Sequence, residues 1–151
     1  MTHTPERLDG DDVVNEHWPY DGPHSPDSVR EATVALSALV RYCKNATTHS
    51  DGLGYAPQVY TTLGGLTETA ERLPQLMSQL FRWAKLTETD ATVRHDQHRA
   101  DADRGAAAGQ HAASEAAELL HSASLQVGAL ADTLSRVRAE LAHLCHDLPD
   151  E

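Results

Sequence analysis

Apolar residues recur along much of this chain at alternating steps of three and four. That spacing turns one side of an α-helix toward a core. The first stripe is Val29, Ala32, Leu36, Leu39, Cys43 and Ala46, with Val40 and Tyr42 widening it. Ser25 is a good N-cap, Pro26 suits the first helical position, and Asp27 complements the positive helix end. A helix over about residues 26–48 is therefore expected, closed by NATTHSDGLG.

The second stripe is Val59, Leu63, Leu66, Ala70, Leu73, Met77, Leu80 and Ala84, over about 57–86. Within it, ERLPQLMSQLFRW puts Pro74 in the middle of the pattern. The steps stay four, three, four, three across the proline, and no Gly, Asn, Asp or Ser adjoins it. A chain reversal would reset that phase. The reading is one helix, kinked at Pro74, with the lost N–H bond to Ala70 costing ~3 kcal/mol. Gly64-Gly65 is a second weak point, at about 1 kcal/mol per glycine. The third stripe is Ala113, Ala116, Leu120, Ala123, Val127, Leu130, Leu134, Val137, Leu141 and Leu144, predicting a helix over about 111–146.

Between the second and third helices, residues 87–110 form a polar connector with almost no large apolar residue. Asp90/Arg94 and Arg99/Asp103 stand at i,i+4, so either a flexible connector or a helical extension fits. Residues 1–24 are acidic, broken by Pro and Gly, and without helical periodicity, which reads as a flexible tail. The bundle domain would then be 25–148. Trp18 and Tyr20 interrupt the tail's polarity. Either HWPY folds back over the helices, or Trp18 and Tyr20 anchor a partner, as aromatics do at interfaces.

The fold class expected is all-α: an up-down-up antiparallel bundle of three long heptad-patterned helices, in the manner of a coiled coil, crossing at about 20°. The first helix is shorter than the others, so part of the second and third would lack a cover. An exposed stripe of that kind pairs with another chain. A homodimer and a monomer both remain open.

Charge narrows the partners. Twelve Lys+Arg against 23 Asp+Glu give a net charge of -11. Binding to nucleic acid or anionic lipid rests on clustered Lys and Arg, and no basic run occurs. The expected partner is another protein, with neither nucleic acid nor membrane. No apolar run reaches the roughly 18 residues of a membrane span, and the acidic N-terminus lacks the apolar stretch of a secretory signal. A cytoplasmic location with two reduced cysteines is expected.

Ten histidines raise the question of metal. His95 and His98 form H-x-x-H, as do His143 and His146 around Cys145. In an up-down-up bundle, helices one and three end at the same pole, which would gather Cys43, His49, His143, Cys145 and His146, a donor set that suits zinc. Against this, Cys43 falls on the apolar stripe, and histidines near a helix C-terminus are favoured by the dipole alone. No metal or cofactor is assigned. Nor is any catalytic residue: no phosphate-binding glycine loop or nucleophile elbow occurs. Glu118 and His121 supply one copy of E-x-x-H, with Glu115 beside it, where carboxylate-bridged di-iron bundles use two.

The stretch EHWPYDGPHSPDSVREATVALSALVRYCKNAT, followed by TLGGLTETAERLPQLMSQLFRW, resembles uncharacterised small helical proteins of high-GC actinomycetes. These are encoded beside conjugative plasmids and integrated mobile elements. The resemblance implies an accessory role around mobile DNA, exerted through protein contacts, and brings no functional residues with it. The leading expectation is a non-catalytic interaction protein. A zinc-binding bundle and a DNA-contacting regulator or transfer accessory are the alternatives.

Overall fold

The computed structural model describes residues 9–49, 52–98 and 100–144. Every regular element among them is helical: α1 (Gly10–His17), α2 (Pro26–Ala46), α3 (Ala56–Glu88), a 3-10 turn (Asp96–His98) and α4 (Ala102–Leu141). They fall into two compact units, one ending at Leu53 and one beginning at Gly54.

In the first unit, α1 corrects the reading of residues 1–24 as a segment without regular structure. Asp9 caps this helix, its carboxylate accepting from the Asp11 N–H at 2.9 Å. Asp11 and Asp12 lie in the first turn and His17 in the last, so local charge matches the helix dipole at both ends. The signal is carried by caps and charge rather than by an apolar stripe, so a search for periodicity passes over it. Pro19 ends the helix by disfavouring helical backbone at Trp18. α2 then opens as expected: Ser25 and Ser28 cap reciprocally, each hydroxyl accepting from the other's N–H at 2.9–3.0 Å. It ends at Ala46, where Thr47 donates back to the Cys43 carbonyl. No residue of α2 is buried.

The second unit is a helical hairpin. α3 runs 33 residues without interruption through Gly64, Gly65 and Pro74. The unbroken phase of the stripe across Pro74 thus corresponds to one continuous helix. α4 runs 40 residues and antiparallel to α3. The Arg138 guanidinium lies 4.5 Å from the centre of the Tyr60 ring. The Ser124 hydroxyl donates to the Pro74 carbonyl at 3.4 Å. Phe81 and His121 stand with ring centres 6.2 Å apart.

The join between them corrects the span 87–110. α4 begins at Ala102, not near 111, and only residues 89–101 lie between the helices. Asp90 makes the first turn, accepting from both the N–H and the hydroxyl of Thr92. It does not join Arg94 in a helix. Asp101 caps α4 by accepting from the Arg104 N–H. The loop lies directly on the first turns of α4, with the His95 N–H bonded to the Gly105 carbonyl at 2.9 Å. A Cβ at 105 would come 2.9 Å from the His98 carbonyl, and one at 109 would come 3.2 Å from Val93. Glycine at both positions is what lets the loop approach. Gly105, Gly109, Ala113 and Ala117 form one buried track, invisible to a search for large apolar residues.

Candidate interaction surface

The face by which α3 meets α4 is not quite the stripe read from the sequence. Leu63, Ala70, Met77 and Ala84 belong to both. The intervening contact positions are Tyr60, Thr67, Pro74 and Phe81, while Val59 and Leu73 are half-buried at the edge of the contact and Leu66 and Leu80 are exposed. α4 shifts likewise: Ala117, Ser124, Ala131 and Arg138 lie at the contact, while Ala116 and Ala123 are half-buried at its edge and Leu130 and Val137 are exposed. A displacement of one residue turns the face by about 100°. Buried Thr67 satisfies its hydroxyl on the Leu63 carbonyl at 2.7 Å.

The shift has a physical reason. Small residues at the contact let the helix axes approach, and the fully interior hydrophobic positions in the described residues are alanines: Ala56, Ala70, Ala84, Ala113, Ala117 and Ala131. Two helices alone cannot enclose leucines. Leu63, Leu120 and Leu134 are only half-buried, and Leu66, Leu80 and Leu130 are exposed.

The side carrying the exposed leucines can be placed. In an antiparallel pair related by a two-fold axis, equivalent flanking rows lie on the same side. One side carries small and polar groups: Gly64 beneath the Arg138 guanidinium, and His121 against Phe81. The opposite side carries Val59, Leu66, Leu73 and Leu80 from α3, and Ala116, Ala123, Leu130 and Val137 from α4. Leu66, Leu80, Leu130 and Val137 are 41–49% exposed. The next rows outward are Thr62, Thr69, Leu76 and Trp83 on α3, and Leu119, Gln126 and Thr133 on α4. None of these residues is charged, in a chain that is 23% charged. Trp83 and Ala116 border a common cleft of about 400 Å³ beside the connecting loop, which puts the two rows level at that end.

α2 presents a comparable exposed face. Val29, Leu36, Leu39 and Val40 all face outward, as does Cys43. Of the two aromatic candidates, Trp18 is half-buried and packs with Pro19, Pro23 and His24 near Val29 and Ala32, lining a cavity of about 500 Å³. Tyr20 stands 90% exposed.

Cys43 and His49 belong to the first unit and His143 to the second, while Cys145 and His146 lie outside the described residues. Among the described residues, no group of three or more His, Cys, Asp or Glu is placed to hold a metal ion. His95 and His98 stand 5.7 Å apart by ring centres, with Asp96 3.2 Å from the His95 ring nitrogen. His121 is engaged with the Phe81 ring, while Glu115 and Glu118 are exposed. No described helix is long and apolar enough to cross a membrane.

Arg138 is the residue that the sequence pattern conceals. Its guanidinium stacks over Tyr60 and fills the space above Gly64, while its buried Nε lacks a hydrogen-bond partner among the described residues. Tyr60 and Gly64 at i,i+4 are the only trace of this in the sequence.

Compared with known proteins, the chain matches no family model, no curated protein and no solved structure.

Proposed function

We propose that this protein is a non-catalytic helical interaction protein. In this reading α2 lies along the uncharged flank of the α3–α4 hairpin, giving an up-down-up three-helix bundle. Another protein then docks on the stretch of flank that α2 is too short to reach. The observation that carries the proposal is the flank itself: two level rows of partly exposed apolar residues without a charge among them. Contiguous apolar patches on a protein surface mark interaction sites.

α2 fits the first part of that flank. Its 21 residues span about 31 Å. Residues 47–55 tie its C-terminal end to the start of α3, so an antiparallel α2 would run beside Ala56 to about Leu76. Its stripe from Val29 to Ala46 would meet Val59, Leu66 and Leu73. A bend at Pro74 would fall near the end of that covered stretch. The acidic balance favours a protein partner over nucleic acid or anionic lipid. The resemblance to mobile-element proteins supports an accessory role acting through protein contacts.

The test is retention of a partner by a tagged chain purified from cells that make it, an untagged second copy counting as a partner. The wild type is expected to retain a stoichiometric partner that Leu80→Glu loses. Retention of nothing by the wild type, or of the same set by Leu80→Glu, would contradict the proposal.

A further inference from the structure

The open end of the flank is built to receive itself. We infer that two copies of this chain pair through Leu76, Leu80 and Trp83 on α3 and Ala116, Leu119 and Ala123 on α4. This rests on the interaction reading above and names the partner.

Three observations argue for a second copy. The first is shape. At this end Leu76 and Trp83 of α3 stand level with Ala123 and Ala116 of α4, which also carries Leu119, since Trp83 shares a cleft with Ala116 and Pro74 is bonded to Ser124. When two hairpins meet face to face about a two-fold axis parallel to their helices, α3 of each copy lies over α4 of the other. Trp83 then enters the gap left by Ala116, and Leu76 the gap left by Ala123. The second contact is produced by the same symmetry as the first. The second observation is area. Trp83 is 66% and Leu119 69% exposed, with Leu76 and Leu80 more than a third exposed. Together they offer on the order of 400 Å² of apolar surface per copy, which with its polar rim reaches the lower range of stable dimers. The third is charge. The chain as a whole is strongly acidic and two copies repel, so a self-contact is best placed on uncharged residues; none of the six is charged, and Arg94 and Asp96, which border the cleft at Trp83 and Ala116, are of opposite sign.

Sedimentation equilibrium of the full chain across the micromolar range tests this. The wild type is expected at twice the chain mass of 16.4 kDa, and Trp83→Glu and Leu119→Glu at the chain mass, with helical circular dichroism retained. Ala116→Gln, which fills the receiving gap without adding charge, is expected to weaken the dimer at least tenfold and covers the case in which a charged variant loses helix. Gln75→Glu, on another face of α3, should leave the mass unchanged. A wild type that stays at the chain mass, or a dimer that survives both Trp83→Glu and Ala116→Gln, would overturn the inference. A monomeric wild type that retains a different protein, lost in Leu80→Glu, would overturn the self-pairing alone and leave the interaction reading standing.

Discussion

Two kinds of glycine sit in the hairpin, and they predict opposite outcomes. At Gly65 an added Cβ meets nothing within 4 Å. Gly65→Ala should therefore stabilise the chain by about 0.5–1 kcal/mol, the ordinary helix-propensity difference. At Gly105 the same methyl would strike the His98 carbonyl. Gly105→Ala should destabilise by about 1–2 kcal/mol, the overpacking cost exceeding the propensity gain. Thermal melts of the two variants check both signs. Asp90 adds a pH dependence. Its hydrogen bonds from the Thr92 hydroxyl and N–H hold its carboxyl below the usual carboxylate value, with Arg94 adding a smaller pull. A group whose folded pKa is depressed stabilises above its unfolded pKa, and that contribution is lost as pH falls through the folded value. Asp90→Ala should therefore melt earlier than wild type at neutral pH, and the gap should close on acidification below the usual carboxylate range. Neither the glycine track nor Asp90's turn was legible in the pattern of apolar residues. Both lie in the stretch where loop and helix meet through backbone rather than through large side chains.

At the scale of elements, the three long helices were legible because their stripes are long and their caps explicit, as at Ser25–Pro26. Continuity through Pro74 was legible from phase. What was not legible was the facing of α3 and α4. A stripe three positions wide per heptad contains two possible contact pairs, and the choice depends on which residues are small enough to let the axes close. Periodicity scores Leu66 above Thr67 and Leu130 above Ala131, whereas close packing selects Thr67 and Ala131. Pro74 stands on that contact face. Pro74→Ala restores a backbone donor for the Ala70 carbonyl, so it is expected to raise stability by about 1–3 kcal/mol. The helix would remain continuous. Denaturant titration followed by circular dichroism measures this, and a destabilised Pro74→Ala would show that the proline's shape is required at the contact.

For the whole molecule, two apolar surfaces stand exposed: the seam of α2 and the uncharged flank of the hairpin. The flank was half-legible. The pattern marks its residues as apolar and helical and leaves only part of them without a cover, whereas the alanine-based contact between α3 and α4 leaves Leu66, Leu80, Leu130 and Val137 exposed. The most direct test uses Cys43, already on the α2 seam. In the proposed up-down-up arrangement Cys43 lies beside the first turns of α3, close to Val59. A Val59→Cys variant in a Cys145→Ser background, oxidised under dilute conditions, should form an intramolecular disulfide between Cys43 and the introduced thiol in high yield, seen as a mass loss of two hydrogens and a fast-migrating band. Persistence of both free thiols under oxidation that readily couples Cys43 to a small-molecule disulfide would contradict the account.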